Sequence, residues 1–180
     1  IRRGVPATLS LGAVTTASNT TERRVARFSS TGLAFDGRVK PEIVAPGVAL
    51  ETAEPGANPD TSARYGTVNG TSVAAALVAG SAALLAQARP DLDAAALKGL
   101  LVGSARPLPE DRLTRQGVGL LDIGSATATE VAAVPASLAF GRADGRRRLT
   151  EQTFELRNVS GRRLPLSLAG RVMREGAAAL

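Results

Sequence analysis

The segment Asn69-Gly70-Thr71-Ser72-Val73-Ala74 places a serine at the start of a long run of alanine, leucine and valine. A serine at a helix N-terminus can attack a carbonyl carbon beside unpaired backbone N–H groups, and the helix dipole adds positive charge there. An oxyanion formed at that position would lie near these donors, and the backbone N–H of Ser72 would be one of them. Ser72 is therefore the candidate nucleophile, and acyl transfer is the candidate chemistry.

The base that a serine nucleophile normally needs is missing from this sequence. The chain has 180 residues and contains no histidine and no cysteine. A histidine most often takes the serine proton, although serine–lysine pairs also exist. Lys40 and Lys98 are the candidate bases for such a pair, and neither lies in a motif typical of that role. The alternative interpretation of Thr71 or Ser72 is a plain helix N-cap, because serine and threonine commonly cap helices.

The bulk composition argues against two other classes of protein. The net charge of +6 permits anion binding, but aromatic residues make up only 3% of the chain, too few for base-stacking surfaces. No charge occurs over residues 65–88, yet the strongly apolar part, residues 73–86, is shorter than the roughly 20 residues that a membrane span requires. The sequence therefore predicts neither nucleic-acid binding nor a membrane span, and favours a globular protein.

Periodicity and turn residues predict the elements that position Ser72. The predictions are apolar strands over 7–14 and 42–45, a surface loop over 54–64, a helix over 72–89, and helices over 93–104 and 123–128. The first helix is apolar on every side, which predicts a central, buried position. Asp91 or Asp93 is expected to cap the second helix.

The pattern changes to period two from about residue 131. Candidate strands cover 137–140, 153–157 and 164–168, with turns at 144–148 and 158–163. Strands of this kind indicate an antiparallel β region, and about 50 residues are fewer than a complete sandwich contains. We therefore predict a partial β-sandwich over 131–180.

Two long motifs resemble the signature of the subtilase family of subtilisin-like serine proteases. Residues 28–48 contain the loop Phe-Ser-Ser-Thr-Gly, then Asp-Gly-Arg-Val-Lys-Pro, and an apolar stretch ending in Ala-Pro-Gly. Residues 69–80 resemble the nucleophile motif of that family, and the whole resemblance covers about residues 7–128. Segments 135–141 and 153–158 are similar to the fibronectin type III-like domain that follows the catalytic domain in larger subtilases.

The resemblance implies an active site that is divided along the chain. In the family the catalytic Asp and His and the oxyanion Asn precede the segments seen here, in the order Asp, His, Ser. Residues 1–130 are then the C-terminal part of an α/β peptidase domain with a three-layer, parallel-sheet architecture. Ser72 is its nucleophile, and this portion alone should not hydrolyse peptides. The family usually has Pro and His where this chain has Ala76 and Leu77, and this departure leaves open a non-catalytic pseudoenzyme or a cell-surface scaffold for adhesion.

The resemblance also implies the setting in which the protein works. It predicts a serine endopeptidase that is secreted to the extracellular space or the cell envelope of a bacterium, with a protein or peptide as its substrate. No cofactor is evident, and calcium enters by resemblance alone. The acids considered for calcium show no spacing of a calcium loop: Asp36, Glu51, Glu54 and Asp60.

Overall fold

The computed structural model describes residues 22–140 and 151–170 of the chain. The elements in chain order are β1 (Leu50–Ala57), β2 (Ala63–Val68), α1 (Thr71–Ala88), α2 (Ala94–Gly103), α3 (Leu113–Gln116), α4 (Ile123–Ala128), β3 (Val131–Val134) and β4 (Glu155–Asn158). The fold is thus a mixture of helices and strands. The strand expected over 7–14 and the turn expected over 144–148 lie outside the described residues.

The hydrophobic core lies where α1, α2, α4 and β3 meet. Leu85 of α1 and Leu100 of α2 are its largest fully buried side chains, and Ala126 of α4 and Ala132 of β3 complete the contact. The approach of α2 to β3 depends on Gly99, since a Cβ there would lie 2.6 Å from the Ala133 carbonyl oxygen. The β region therefore begins as part of the same core that holds α1.

The helices that surround the core begin as the sequence predicts. Asp93 accepts a hydrogen bond from the Ala96 N–H at 2.7 Å and caps α2, and Asp122 caps α4 through the Ser125 N–H at 3.0 Å. These backbone donors lower the pKa of both aspartates. The predictions over 93–104 and 123–128 are confirmed, whereas α3 was not predicted because its four residues are too few to show a period.

Helix α1 is far less buried than its composition suggests. Leu85 is its buried residue, while Leu77 and Leu84 are 40% and 58% exposed. Among the described elements only α2 and α4 pack on it extensively, so an apolar surface faces outward. The prediction of a central, buried helix is therefore wrong for this structure, because an all-apolar pattern does not say which faces receive a neighbour. By length and composition α1 could cross a membrane, a test that core helices of soluble proteins also pass.

The segment before α1 forms a hairpin in which β1 and β2 pair antiparallel. The pairing runs from Leu50 with Val68 to Glu54 with Arg64, and its register shifts beyond Glu54. A turn closed by the Asn58 N–H on the Ser62 carbonyl at 2.9 Å joins the strands. The predicted loop over 54–64 is thus confirmed only for residues 58–62, because Pro55 and Gly56 lie within β1 at its register shift.

The remaining strand predictions are shifted or absent. The segment 42–45 contributes a parallel bridge between Val44 and Leu120 instead of a full strand. β3 precedes Pro135 and pairs antiparallel with β4, and no strand occurs at 137–140 or, within the described residues, at 164–168. The predicted turn at 158–163 is present, with the Asn158 side chain accepting the Ser160 N–H at 2.9 Å.

Candidate active site

Ser72 is the second residue of α1 and its side chain does not cap the helix. The N-cap residue is Gly70, which has no side chain to offer, and the first helical hydrogen bond runs from the Ala74 N–H to the Gly70 carbonyl. The N–H groups of Thr71, Ser72 and Val73 therefore precede the helical ladder, and such groups can hold a negative charge. The N-cap interpretation of Thr71 or Ser72 is wrong, and Ser72 is exposed to solvent.

Gly70 provides space beside Ser72, the candidate nucleophile. Its φ of 164° is extended backbone that any residue can adopt, so conformational freedom does not explain the glycine. A Cβ at this position would lie 3.3 Å from Ser72 Oγ and 3.8 Å from the Ser72 nitrogen. The absence of a side chain therefore leaves room at the hydroxyl and at the amide that would face an oxyanion.

The turn at Gly47 fixes the start of α1. The Gly70 N–H donates to the Gly47 carbonyl at 2.8 Å, and the Ala49 N–H donates to the Asn69 side chain at 2.7 Å. A Cβ at Gly47 would lie 2.8 Å from the Gly70 carbonyl oxygen and 3.3 Å from the Ala74 Cβ. The Ala-Pro-Gly segment and the nucleophile motif, which are separate in the sequence, therefore contact each other directly.

A cleft of about 310 Å³ opens beside Thr71, the residue preceding Ser72. We call it the Thr71 cleft. Its walls carry four hydroxyl groups and one lysine, together with small or apolar residues, and its lining is Ser29, Ser30, Thr31, Gly32, Leu33, Ala34, Lys40, Pro41 and Thr71. The loop at residues 29–34 is held by the Gly32 N–H on the Thr114 carbonyl at 2.9 Å and by the Lys40 N–H on the Gly32 carbonyl at 3.3 Å.

Glu42 joins both lysines of the chain behind this cleft. Its carboxylate contacts Lys40 Nζ at 2.8 Å and Lys98 Nζ at 2.9 Å, and Ser137 Oγ donates to it at 3.2 Å. Partial burial alone would raise the pKa of Glu42, but the hydrogen bonds and charges of the two ammonium groups lower the pKa to about 2. We call Lys40, Glu42 and Lys98 the lysine–glutamate cluster.

This cluster weakens the serine–lysine alternative. A serine–lysine pair needs the lysine nitrogen within hydrogen-bond distance of the nucleophilic hydroxyl. The ammonium groups of Lys40 and Lys98 instead both contact the carboxylate of Glu42. Sequence reasoning missed the cluster, because bends at Lys40 and Glu42 and the distant Lys98 bring these side chains together without any local period.

The acids considered for calcium do not come together. Asp36 pairs with Arg38 at 2.6 Å, Glu54 pairs with Arg64 at 3.0 Å, and Asp60 accepts the Ser62 N–H at 3.0 Å. Within residues 22–140 and 151–170, no three Asp, Glu, His or Cys side chains form a group that could hold a metal ion. The acidic residues considered for calcium therefore do not fit such a site, and their hydrogen bonds serve local turns and the β1–β2 hairpin.

Comparison with known proteins agrees with the motifs around Ser72. Residues 3–122 match the Subtilase family. The chain is 30% identical over 161 residues to the minor extracellular protease Vpr of Bacillus subtilis, a match that covers 85% of this chain and 20% of that protein. It is 38% identical over 116 residues to the subtilisin-like protease PopC of Myxococcus xanthus, a match that covers 64% of this chain and 23% of PopC.

A similarity to solved structures covers a smaller part of the chain. Proteases from Pseudoalteromonas arctica align with a TM-score of 0.43 and 30% identity, over 51% of this chain and 30% of that chain. The chain spans about a fifth of the length of Vpr and PopC.

Proposed function

This chain belongs to the subtilase family of serine proteases, and on that premise we propose that it carries the nucleophile of a serine endopeptidase, Ser72. The observation that carries the proposal is the position of Ser72 at the start of α1. Ser72 is exposed, its hydroxyl is not used as a cap, and its backbone N–H is one of those that precede the first helical hydrogen bond.

The proposed reaction is acyl transfer through a covalent intermediate. Ser72 Oγ attacks the carbonyl carbon of the peptide bond while a histidine takes its proton, and an aspartate orients that histidine. The backbone N–H of Ser72 and an asparagine side chain bind the oxyanion. The amine then leaves with the proton from histidine, and water hydrolyses the acyl-enzyme. The histidine, aspartate and asparagine are proposed to come from an upstream segment of a longer protein.

The structure suggests why this portion alone should not hydrolyse peptides. The chain contains no histidine, and both of its lysines pair with Glu42. The asparagine that the proposed reaction places in the oxyanion site belongs to the same upstream segment as the histidine. The proposed reaction uses no cofactor, and no step is assigned to calcium.

The proposal extends to domain organisation and location. We assign residues 1–130 to the C-terminal part of a subtilisin-like peptidase domain with a three-layer parallel sheet, and the parallel bridge between Val44 and Leu120 supports this assignment. Residues 131–180 are assigned to the start of a fibronectin type III-like β-sandwich, supported by the antiparallel pairing of β3 with β4. The extracellular protease among its relatives supports secretion or attachment to the cell envelope.

The decisive experiment is covalent labelling of the full-length protein with a fluorophosphonate, a probe that reacts with activated serines. We expect a label on Ser72, located by peptide mass spectrometry, and none in the Ser72→Ala variant. A folded full-length protein that neither reacts nor cleaves casein would contradict the endopeptidase. That result would favour the non-catalytic pseudoenzyme or adhesion scaffold. This alternative rests on Ala76 and Leu77, which stand where the family usually has Pro and His.

A further inference from the structure

The Thr71 cleft has the dimensions and lining of a side-chain pocket next to the nucleophile. Its volume of about 310 Å³ suits one side chain of a bound polypeptide, and Thr71 connects it directly to Ser72. A side chain that enters this cleft therefore belongs to a residue within a few positions of the bond under attack.

The polar groups of the cleft can hold an acceptor. Four hydroxyl groups line it, from Ser29, Ser30, Thr31 and Thr71, and no other described residue takes a hydrogen bond from them. Lys40 adds an ammonium group, which donates and never accepts. A carboxylate offers about four acceptor positions, so it can use several of these donors together.

The charge near the cleft favours an anion over a neutral acceptor. The lysine–glutamate cluster contains two positive charges and one negative charge, so it carries a net positive charge. The nearby pair of Arg38 and Asp36 is balanced. The side chain of Lys40 is 42% exposed, which leaves part of it accessible to a ligand in the cleft.

We propose that the Thr71 cleft binds an acidic side chain of the polypeptide substrate, with Lys40 as the residue that determines this specificity. This inference rests on the proposed function and names the class of substrate. Glu42 partly neutralises Lys40, because its carboxylate contacts Lys40 Nζ at 2.8 Å. Lys98 contacts the other oxygen of the same carboxylate and does not line the cleft.

The test uses the full-length protein and internally quenched peptides that differ only by Glu or Gln at one position. Three positions on each side of the cleaved bond are varied in turn. We expect one position at which Glu raises kcat/KM about fivefold over Gln, the upper range of a partly exposed ion pair. K40Q should abolish this preference, and E42Q should increase it because both ammonium groups lose their partner.

K98Q is the matched control. Like K40Q, it removes one positive charge from the lysine–glutamate cluster, but it leaves every side chain that lines the cleft unchanged. If Lys40 contacts the substrate side chain, the K98Q protein retains part of the preference for Glu. If only the net charge of the cluster matters, K40Q and K98Q reduce this preference equally. Equal losses, or the absence of any position that prefers Glu, would overturn the inference. Melting temperatures of the variants show whether a loss follows from unfolding.

A second measurement separates this inference from the proposed function. The same peptides are titrated into the full-length Ser72→Ala protein and followed by fluorescence anisotropy. A Glu preference in binding without cleavage by the unmodified protein would contradict the endopeptidase and leave the cleft assignment in place. Cleavage with no Glu preference in either measurement would contradict the cleft assignment alone.

Discussion

Replacing Gly70 by alanine should lower activity without lowering stability. The new Cβ would lie 3.3 Å from Ser72 Oγ and 3.8 Å from the Ser72 nitrogen. The best separation for such atoms is about 3.5–4.0 Å, so the hydroxyl must move by a few tenths of an ångström. Because a misplacement of about 1 Å costs on the order of 100-fold in rate, we expect kcat/KM to fall about four- to tenfold.

The stability of the same variant should not decrease. The φ of 164° at Gly70 is open to alanine, and the loss of glycine flexibility in the unfolded chain favours folding by about 0.4–1 kcal/mol. The expected combination is therefore lower activity with an equal or higher melting temperature. A substitution that lowers activity by misfolding also lowers the melting temperature, so the expected combination distinguishes a local effect on Ser72 from misfolding.

The matched control lies in the same helix. A Cβ added at Gly80 would have no atom within 4 Å, so Gly80→Ala should stabilise α1 by about 1 kcal/mol and leave kcat/KM unchanged. The assay is hydrolysis of a quenched peptide by the full-length protein, with active sites counted by fluorophosphonate and melting followed by circular dichroism. Unchanged kcat/KM in Gly70→Ala, or an equal loss in Gly80→Ala, would refute the reasoning.

Three further substitutions test interactions that hold the site in place, each by urea unfolding. Glu42→Gln should lower the free energy of unfolding by about 1–2 kcal/mol at pH 7, after allowance for the exposure of both lysines. Because the pKa of Glu42 is lowered to about 2, this difference in stability should persist above pH 4.5 and vanish as the pH falls towards 2. Arg89→Met should cost about 2–3 kcal/mol, since the guanidinium donates to three carbonyl groups after α1. Gln116→Leu should cost about 3 kcal/mol, because its buried amide bonds both backbone groups of Leu108, whereas Gln87→Leu on the exposed side of α1 should cost little.

The sequence predicts best those parts of the fold that depend on residues close together in the chain. Asp93 caps α2, as expected, because an aspartate at that position meets free N–H groups whatever the rest of the chain does. The nucleophile motif likewise places Ser72 in the first turn of α1. These features depend on neighbours within four residues, which a sequence pattern contains.

The features that sequence misses depend on contacts between distant segments. The hairpin of β1 and β2 forms although Pro55 and Gly56 indicate a loop, because the paired strands on either side of them fix the backbone. The exposure of Leu77 and Leu84 follows from which elements pack on α1, and an all-apolar pattern cannot supply that information. The lysine–glutamate cluster joins residues 40, 42 and 98, which no local period relates.

The hairpin of β1 and β2 has a practical consequence for testing the proposed activity. Its described contacts with other elements are few, its tip is fully exposed, and β2 runs within four residues of Ser72. Since the chain contains no cysteine, Pro59→Cys would introduce a single thiol at that tip. A fluorophore attached there would lie on a hairpin that leads to Ser72 and away from the core, so a change in its emission on adding a polypeptide would report the proposed binding in real time.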